Sequence, residues 1–263
     1  MYQFNGAVNG FNEVKEEDTK QTFRLTQSFR FGFEVAFAAT AVLQTMLKEW
    51  VPLIGNPAKK DEIVDPGGHA NEEGGDVTAL IARTNSSLIP KIINFLDNHD
   101  STSPVVTSSS SFKNWFSGEV VEKLIKLKNN QIRSIKRNGK YFHSLEELSI
   151  DAKYTGDVDL LIKVKTIEEH GQRMDGLLER FKRVFLNHRN DVRPMSEAKL
   201  IFTTVHGIKG QEVDHVQLLD DFGRSLHGLP STVPHEPVEE INLLYVALTR
   251  SSHYRILTEF RHG

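Results

Sequence analysis

The sequence predicts an α/β domain on a parallel sheet, interrupted by a mostly helical insertion. Strand-length apolar runs alternate with helix-period segments near the start of the chain, and the same alternation returns near its end. The long stretch between them keeps a helical period.

Taken in order, Thr22 to Thr26 reads as a short strand, and a helix begins after Gly32, with Val35, Ala38, Ala39, Val42 and Met46 on one face. Pro57 to Asp76, rich in glycine, proline and charge, reads as a solvated loop. Val77 to Ala82 has the pattern of a buried strand, and Leu88 to Leu96 continues as a helix. The Ser/Thr-rich residues 101–112 surround Pro104-Val105-Val106, a strand within a loop. From Glu119 to Phe185 the pattern is helical, with Leu124, Leu127, Leu160, Leu161, Leu177, Leu178 and Phe181 facing inward. Leu200 to Thr204 and Val213 to Leu219 read as strands. A helix follows from about Pro237, whose ring suits a first turn while Glu239 and Glu240 suit its positive end. Its apolar stripe is Leu243, Leu244, Ala247 and Leu248, and His253 to Phe260 closes the chain as a strand. The expected divisions are 1–20, 21–108, an insertion over 109–195, and 196–263.

A chain of 263 residues can bury one good core, or one core carrying an insertion. Its 38% apolar and 25% charged residues are those of a soluble globular protein. No apolar run reaches the ~20 residues a membrane span needs, and the first residues carry neither basic nor apolar leader features, so no membrane contact is expected. The absence of cysteine excludes disulfides and thiolate metal sites and fits a reducing compartment. A net charge of −3 leaves any attraction to nucleic acid to local basic surface. The eleven histidines show no HxxxH or HExxH spacing and read as ordinary surface and core residues, so no metal site is expected.

Four short segments carry the chemistry. Leu25-Thr26-Gln27-Ser28-Phe29-Arg30-Phe31-Gly32 places an arginine at a strand-to-helix turn, and Ile81-Ala82-Arg83-Thr84-Asn85 leaves a strand to open a helix. Thr204-Val205-His206-Gly207-Ile208-Lys209-Gly210-Gln211-Glu212 is a polar loop after a strand. Glu239 to Arg250 is a helix that ends in arginine. Three of the four lie at strand ends, where open α/β sheets build ligand sites. Each alone is weak, since a lone arginine at a strand end is ordinarily solvated or ion-paired. Their order and combination carry the weight.

Together the segments resemble the fourth, accessory fourth, fifth and sixth motifs of superfamily 1 DNA helicases of the UvrD/Rep type, and Tyr2-Gln3-Phe4-Asn5-Gly6-Ala7 resembles the tail of the third. The resemblance covers about half of the chain and is most specific at LTQSFRFG and LLYVALTR. Thr203-Thr204-Val205-His206 and His215 to Phe222 are particularly similar to the eukaryotic F-box branch of that family.

The resemblance implies a RecA-like, P-loop NTPase-like second motor domain, the C-terminal half of an ATP-dependent 3′-to-5′ DNA helicase that acts in repair or recombination in the nucleus. ATP with Mg²⁺ would lie between two such domains, the first supplying the phosphate loop, Mg²⁺ ligands and base. Arg30 and Arg250 match two arginines that meet the γ-phosphate, Phe29 an aromatic that stacks on adenine, and Glu212 a carboxylate on the ribose. Tyr2, Phe4, Asn85, Thr204 and His206 match contacts to single-stranded DNA. Residues 1–20 would be a remnant of the first motor domain, which is the implied partner together with single-stranded and duplex DNA. Met1 stands where the motif has an isoleucine, so a fragment is expected, inactive alone. No GxxxxGK[ST] loop is present in the chain.

The sequence also departs from the pattern. Asn5 replaces an arginine, Gln211 a leucine and Gly207 a larger residue, while Ser251-Ser252 stands where Ala-Lys is usual. Two readings of the stretch Lys123, Lys126, Lys128, Arg133, Lys136, Arg137 and Lys140 stay open, a contact to duplex phosphates and a solvated amphipathic helix face. A non-catalytic nucleic-acid-binding or scaffold protein derived from a helicase half is the alternative function. A Rossmann-like nucleotide-binding domain is disfavoured, because no G-x-G-x-x-G follows a strand.

Overall fold

The computed structural model describes residues 26–47, 51–64, 77–98, 105–107, 118–186, 199–222 and 236–258. Tyr2, Phe4, Asn5, the whole of 1–20 and nearly all of the strand expected over Thr22 to Thr26 lie outside the described residues. In chain order the elements are α1 (Phe33–Leu47), β1 (Glu62–Val64), β2 (Thr78–Ala82), α2 (Asn85–Asn98), β3 (Val105–Thr107) and α3 (Glu119–Lys128). The chain continues through β4 (Ile135–Arg137), β5 (Lys140–Phe142), α4 (Leu145–Thr155), α5 (Val158–His170) and a short 3-10 turn into α6 (Met174–Phe185). It ends with β6 (Leu200–Thr204), β7 (Val213–Leu218), α7 (Glu236–Leu248) and β8 (Ser251–Thr258). Two compact units result, Met1–Thr84 with Thr203–Gly263, and Asn85–Phe202. No described helix is long and apolar enough to cross a membrane.

The first unit is an α/β layer in which β1, β8, β7 and β2 pair in parallel. Val205 donates its N–H to the Ala82 carbonyl at 3.2 Å, which fixes the end of β6 level with the end of β2. Helices α1 and α7 pack together. Val35 and Ala39 of α1 and Leu243, Leu244, Ala247 and Leu248 of α7 are buried, while Ala38 and Val42 are half-buried. Three-residue β1 lies inside the segment Pro57 to Asp76, where a loop is expected. Its order comes from β8, some two hundred positions away, so the local sequence carries no sign of it.

The second unit is mainly helical, and its core includes stacked Phe181 and Phe185, with Phe202 edge-on to Phe185 at 5.9 Å. Of the inward positions, Leu124, Leu127, Leu160, Leu177, Leu178 and Phe181 are buried, and Leu161 is half-buried. The helical pattern expected from Glu119 to Phe185 is broken by the antiparallel hairpin β4–β5. Asn138 and Gly139 turn it with φ of +49° and +80°, the pair of positive angles that a two-residue hairpin turn demands. The basic stretch is therefore no single helix face: α3 stops at Lys128, and Lys136, Arg137 and Lys140 belong to the hairpin. Helix α4 opens on Ser144, whose Oγ accepts the Glu147 N–H, while the Glu147 carboxylate accepts the His143 N–H at 2.7 Å.

Candidate functional site

Three segments meet where the strands of the first unit begin. Gln27 bridges Ile54 in parallel, with Ser28 N–H to the Ile54 carbonyl at 2.8 Å and Ile54 N–H to the Thr26 carbonyl at 2.9 Å. The Ser28 hydroxyl then accepts the Arg30 N–H at 3.1 Å, and Asn56 holds the Phe29 and Phe31 carbonyls. This turn fixes the backbone that presents Phe29, 79% exposed, and Arg30. Two glycines let it pack: a Cβ on Gly55 would lie 2.2 Å from the Gly32 carbonyl oxygen. The carboxylate of Asp61 accepts the Glu34 and Val35 N–H groups and caps α1.

Arg30 Nε donates to Glu212 Oε1 at 2.6 Å, with both side chains partly exposed. Glu212 immediately precedes β7 and Arg250 immediately precedes β8, and Val213 N–H bonds the Arg250 carbonyl at 3.3 Å. A register shift between β7 and β8 lies just beyond, after the Val213–Ser251 pair. Arg250 is only 8% exposed, and its Nε donates to the Val246 carbonyl at 3.0 Å. Among the described residues no carboxylate hydrogen-bonds it. Burial, and then the positive charge of Arg30, hold its guanidinium below the ordinary arginine range, while Glu212 and Tyr245 act in the opposite direction. Tyr245, half-buried, has its phenol pushed up by burial against the pull of Arg250 and Arg30. Ser28, Phe29, Arg30, Phe31 and Glu212 line an open cavity of about 350 Å³. It offers an aromatic face, a carboxylate and a guanidinium, which fits a nucleoside phosphate.

The remaining segments lie at the other edge. Thr204 ends β6, and its hydroxyl accepts the Gly207 N–H at 3.3 Å; His206 beyond it is exposed. Arg83 follows β2 and forms a bidentate pair with Glu240, which with Asp221 raises its pKa against the opposing effect of burial. The Asp221 carboxylate accepts the Arg83 and Thr84 N–H groups. The four segments thus do not converge on one set of strand ends. Arg30, Glu212 and Arg250 gather at the amino edge; Arg83, Thr204 and His206 stand at the carboxyl edge. Asn85 opens α2 in the second unit, with its Oδ1 buried and without a hydrogen-bond partner. Among the described residues no group of three or more histidine, aspartate or glutamate side chains is gathered to hold a metal ion.

No protein-family profile matches the chain. It is 29% identical to F-box DNA helicase protein 1 of Schizosaccharomyces pombe, over 98% of this chain and 30% of that protein. It is 23% identical to F-box DNA helicase 1 of Gallus gallus, over 98% of this chain and 25% of that one. The chain is related to DNA helicases. It spans between a quarter and a third of the length of these relatives.

Tyr245 and the Arg83–Glu240 pair were not among the sequence candidates. Tyr245 falls in the stripe-bearing helix five residues before Arg250, a spacing at which helical side chains are not neighbours, so the sequence gives no sign that the charge of Arg250 acts on its phenol. Glu240 reads as a helix-dipole residue, yet it holds a guanidinium from β2's end.

Proposed function

We propose that this chain is the second, RecA-like motor half of an ATP-dependent DNA helicase that moves 3′ to 5′ on single-stranded DNA and unwinds duplex, in nuclear repair or recombination. The observation that carries the reading is the meeting of Arg30, Glu212 and Arg250 beside exposed Phe29, from three segments far apart in sequence. In this reading Phe29 gives its face to adenine, and Glu212 takes the ribose hydroxyls. Arg30 and Arg250 meet the γ-phosphoryl oxygens, where planar guanidinium forks stabilise the charge that develops on transfer. The Arg30–Glu212 pair is no obstacle: partly exposed pairs are worth roughly 0.2–1 kcal/mol, less than one charge-assisted contact to phosphate.

Thr204, His206 and Asn85, with Tyr2 and Phe4, are proposed to contact the DNA strand. The connector from Val205 to Glu212 joins the strand-contact edge to the nucleotide edge, so movement at one reaches the other through a few residues. The proposed partner is a first motor domain that brings the phosphate loop, the Mg²⁺ ligands and the base. Exposed Phe33 and Phe37, one turn apart on α1, fit a face that another domain covers. The test is unwinding by a complete motor of a duplex with a 3′ or a 5′ single-stranded tail. ATP-dependent opening of the 3′-tailed substrate alone is expected. Preference for the 5′ tail would overturn the direction, and no opening of either would overturn the helicase reading.

A further inference from the structure

The hairpin β4–β5 and helix α4 enclose a second open cavity, of about 550 Å³, in the second unit. Residues Glu147, Ile150, Asp151 and Tyr154 line it from α4 at spacings of three and four, one helix face turned toward the hairpin. Tyr141 stands opposite on β5. Tyr141 and Ile150 are 60% exposed and Tyr154 is 90% exposed, so two aromatic faces and an aliphatic one lie open to solvent in one place.

The charges around this surface are unequal in what they are free to do. Asp151 is paired with Arg137 at 2.7 Å, and Glu147 is engaged by the backbone N–H of His143. Both carboxylates thus serve the fold. Lys136, whose Nζ lies 5.5 Å from the centre of the Tyr141 ring, and Lys140 have no ion-pair partner among the described residues. The surface therefore offers flat aromatic faces beside unneutralised positive charge, which suits an anionic chain with planar groups.

We propose that this surface binds single-stranded nucleic acid, with unpaired bases stacking on Tyr141 and Tyr154 and the intervening phosphates meeting Lys136 and Lys140. Single strand is favoured over duplex because paired bases bury the faces that these rings need. An acidic peptide would satisfy the lysines but leave the rings without partners. The surface is independent of the proposed nucleotide site and stands whether or not that site turns over ATP.

The experiment measures binding of a fluorescently labelled oligo(dT) to the full chain by anisotropy, over a series of salt concentrations. Unlabelled duplex and poly-glutamate serve as competitors. Tyr141→Ala with Tyr154→Ala should weaken binding about tenfold or more, since each stacked base carries a substantial share of affinity. Tyr141→Phe with Tyr154→Phe keeps the rings and should stay within about twofold. Lys136→Gln with Lys140→Gln should lower the slope of affinity against salt by roughly one to two counterions. All four side chains are exposed or half-exposed, and circular dichroism of each variant checks that the fold is kept. Unchanged affinity in the alanine pair would overturn the proposal. So would an alanine loss that the phenylalanine pair shares, or competition by duplex or poly-glutamate as strong as by oligo(dT).

Discussion

At the scale of single residues, Arg30 and Arg250 are opposites in their surroundings. Arg30 is a third exposed and leans on a carboxylate; Arg250 is buried and hydrogen-bonded to backbone. If both meet one γ-phosphoryl, Arg30→Ala and Arg250→Ala in a complete motor should each cut turnover by roughly 10³–10⁵ while nucleotide affinity changes little. The double variant should be scarcely worse than either single one, because groups in one constellation are far from additive. Lysine should rescue poorly, keeping the charge but losing the fork. Steady-state hydrolysis with saturating single-stranded DNA, beside a separate nucleotide-binding titration, is the measurement. Near-normal turnover in Arg30→Ala, which disturbs no buried contact, would remove that arginine from the mechanism. Tyr245 yields a prediction in solution alone. Its phenol proton is held more tightly in the fold than in the unfolded chain, so its contribution to stability is complete below the ordinary phenol pKa of ~10. That contribution is lost as pH rises through the raised folded value. Tyr245→Phe should therefore flatten the alkaline decline of stability. Urea titrations at stepped pH read it, and an identical decline in the variant would sink the idea.

At the scale of elements, two glycines separate packing from backbone conformation. A Cβ at Gly55 meets the Gly32–Phe33 peptide, with the Gly32 carbonyl carbon at 2.3 Å and the Phe33 nitrogen at 2.6 Å, and backbone cannot turn aside. Gly55→Ala should cost at least the upper end of the ~1–3 kcal/mol of ordinary overpacking. Gly139 has open space around it but φ of +80°, so Gly139→Ala should cost only about 1–2 kcal/mol. Chemical denaturation of the two variants tests the ranking, and a Gly55→Ala chain as stable as Gly139→Ala would reverse it. The same contrast explains what was legible in the sequence. Stripes such as Leu243, Leu244, Ala247 and Leu248 were readable because a helix repeats within a few residues. Strand β1 was not, because its partner is distant. The hairpin carried its signal in Asn138-Gly139, but the lysines on either side continue a helical charge pattern across it, and periodicity alone favours the helix.

At the scale of the whole chain, motif order groups residues by the role expected of them and says nothing about which strand edge each occupies. That is why Arg30, Glu212 and Arg250 could be named together while the separation of Arg83, Thr204 and His206 to the far edge could not. The edges matter for the last expectation, that the 263-residue chain does not hydrolyse ATP by itself. Phosphoryl transfer needs a backbone cradle for the β- and γ-phosphates, Mg²⁺ held by acids, and a group that orients water. In the proposed reading the amino edge supplies positive charge, a carboxylate for the ribose and an aromatic face, all of which would act on a nucleotide already held by something else. With the cradle missing, the two arginines have no fixed phosphoryl to stabilise, and Glu212 stays on Arg30. Purified chain with Mg²⁺, ATP and saturating single-stranded DNA should release phosphate no faster than buffer. The same chain should still bind the strand, since neither its carboxyl edge nor the hairpin surface depends on nucleotide. DNA-stimulated release that survives purification and disappears in Arg30→Ala would mean the chain carries a complete catalytic site of its own.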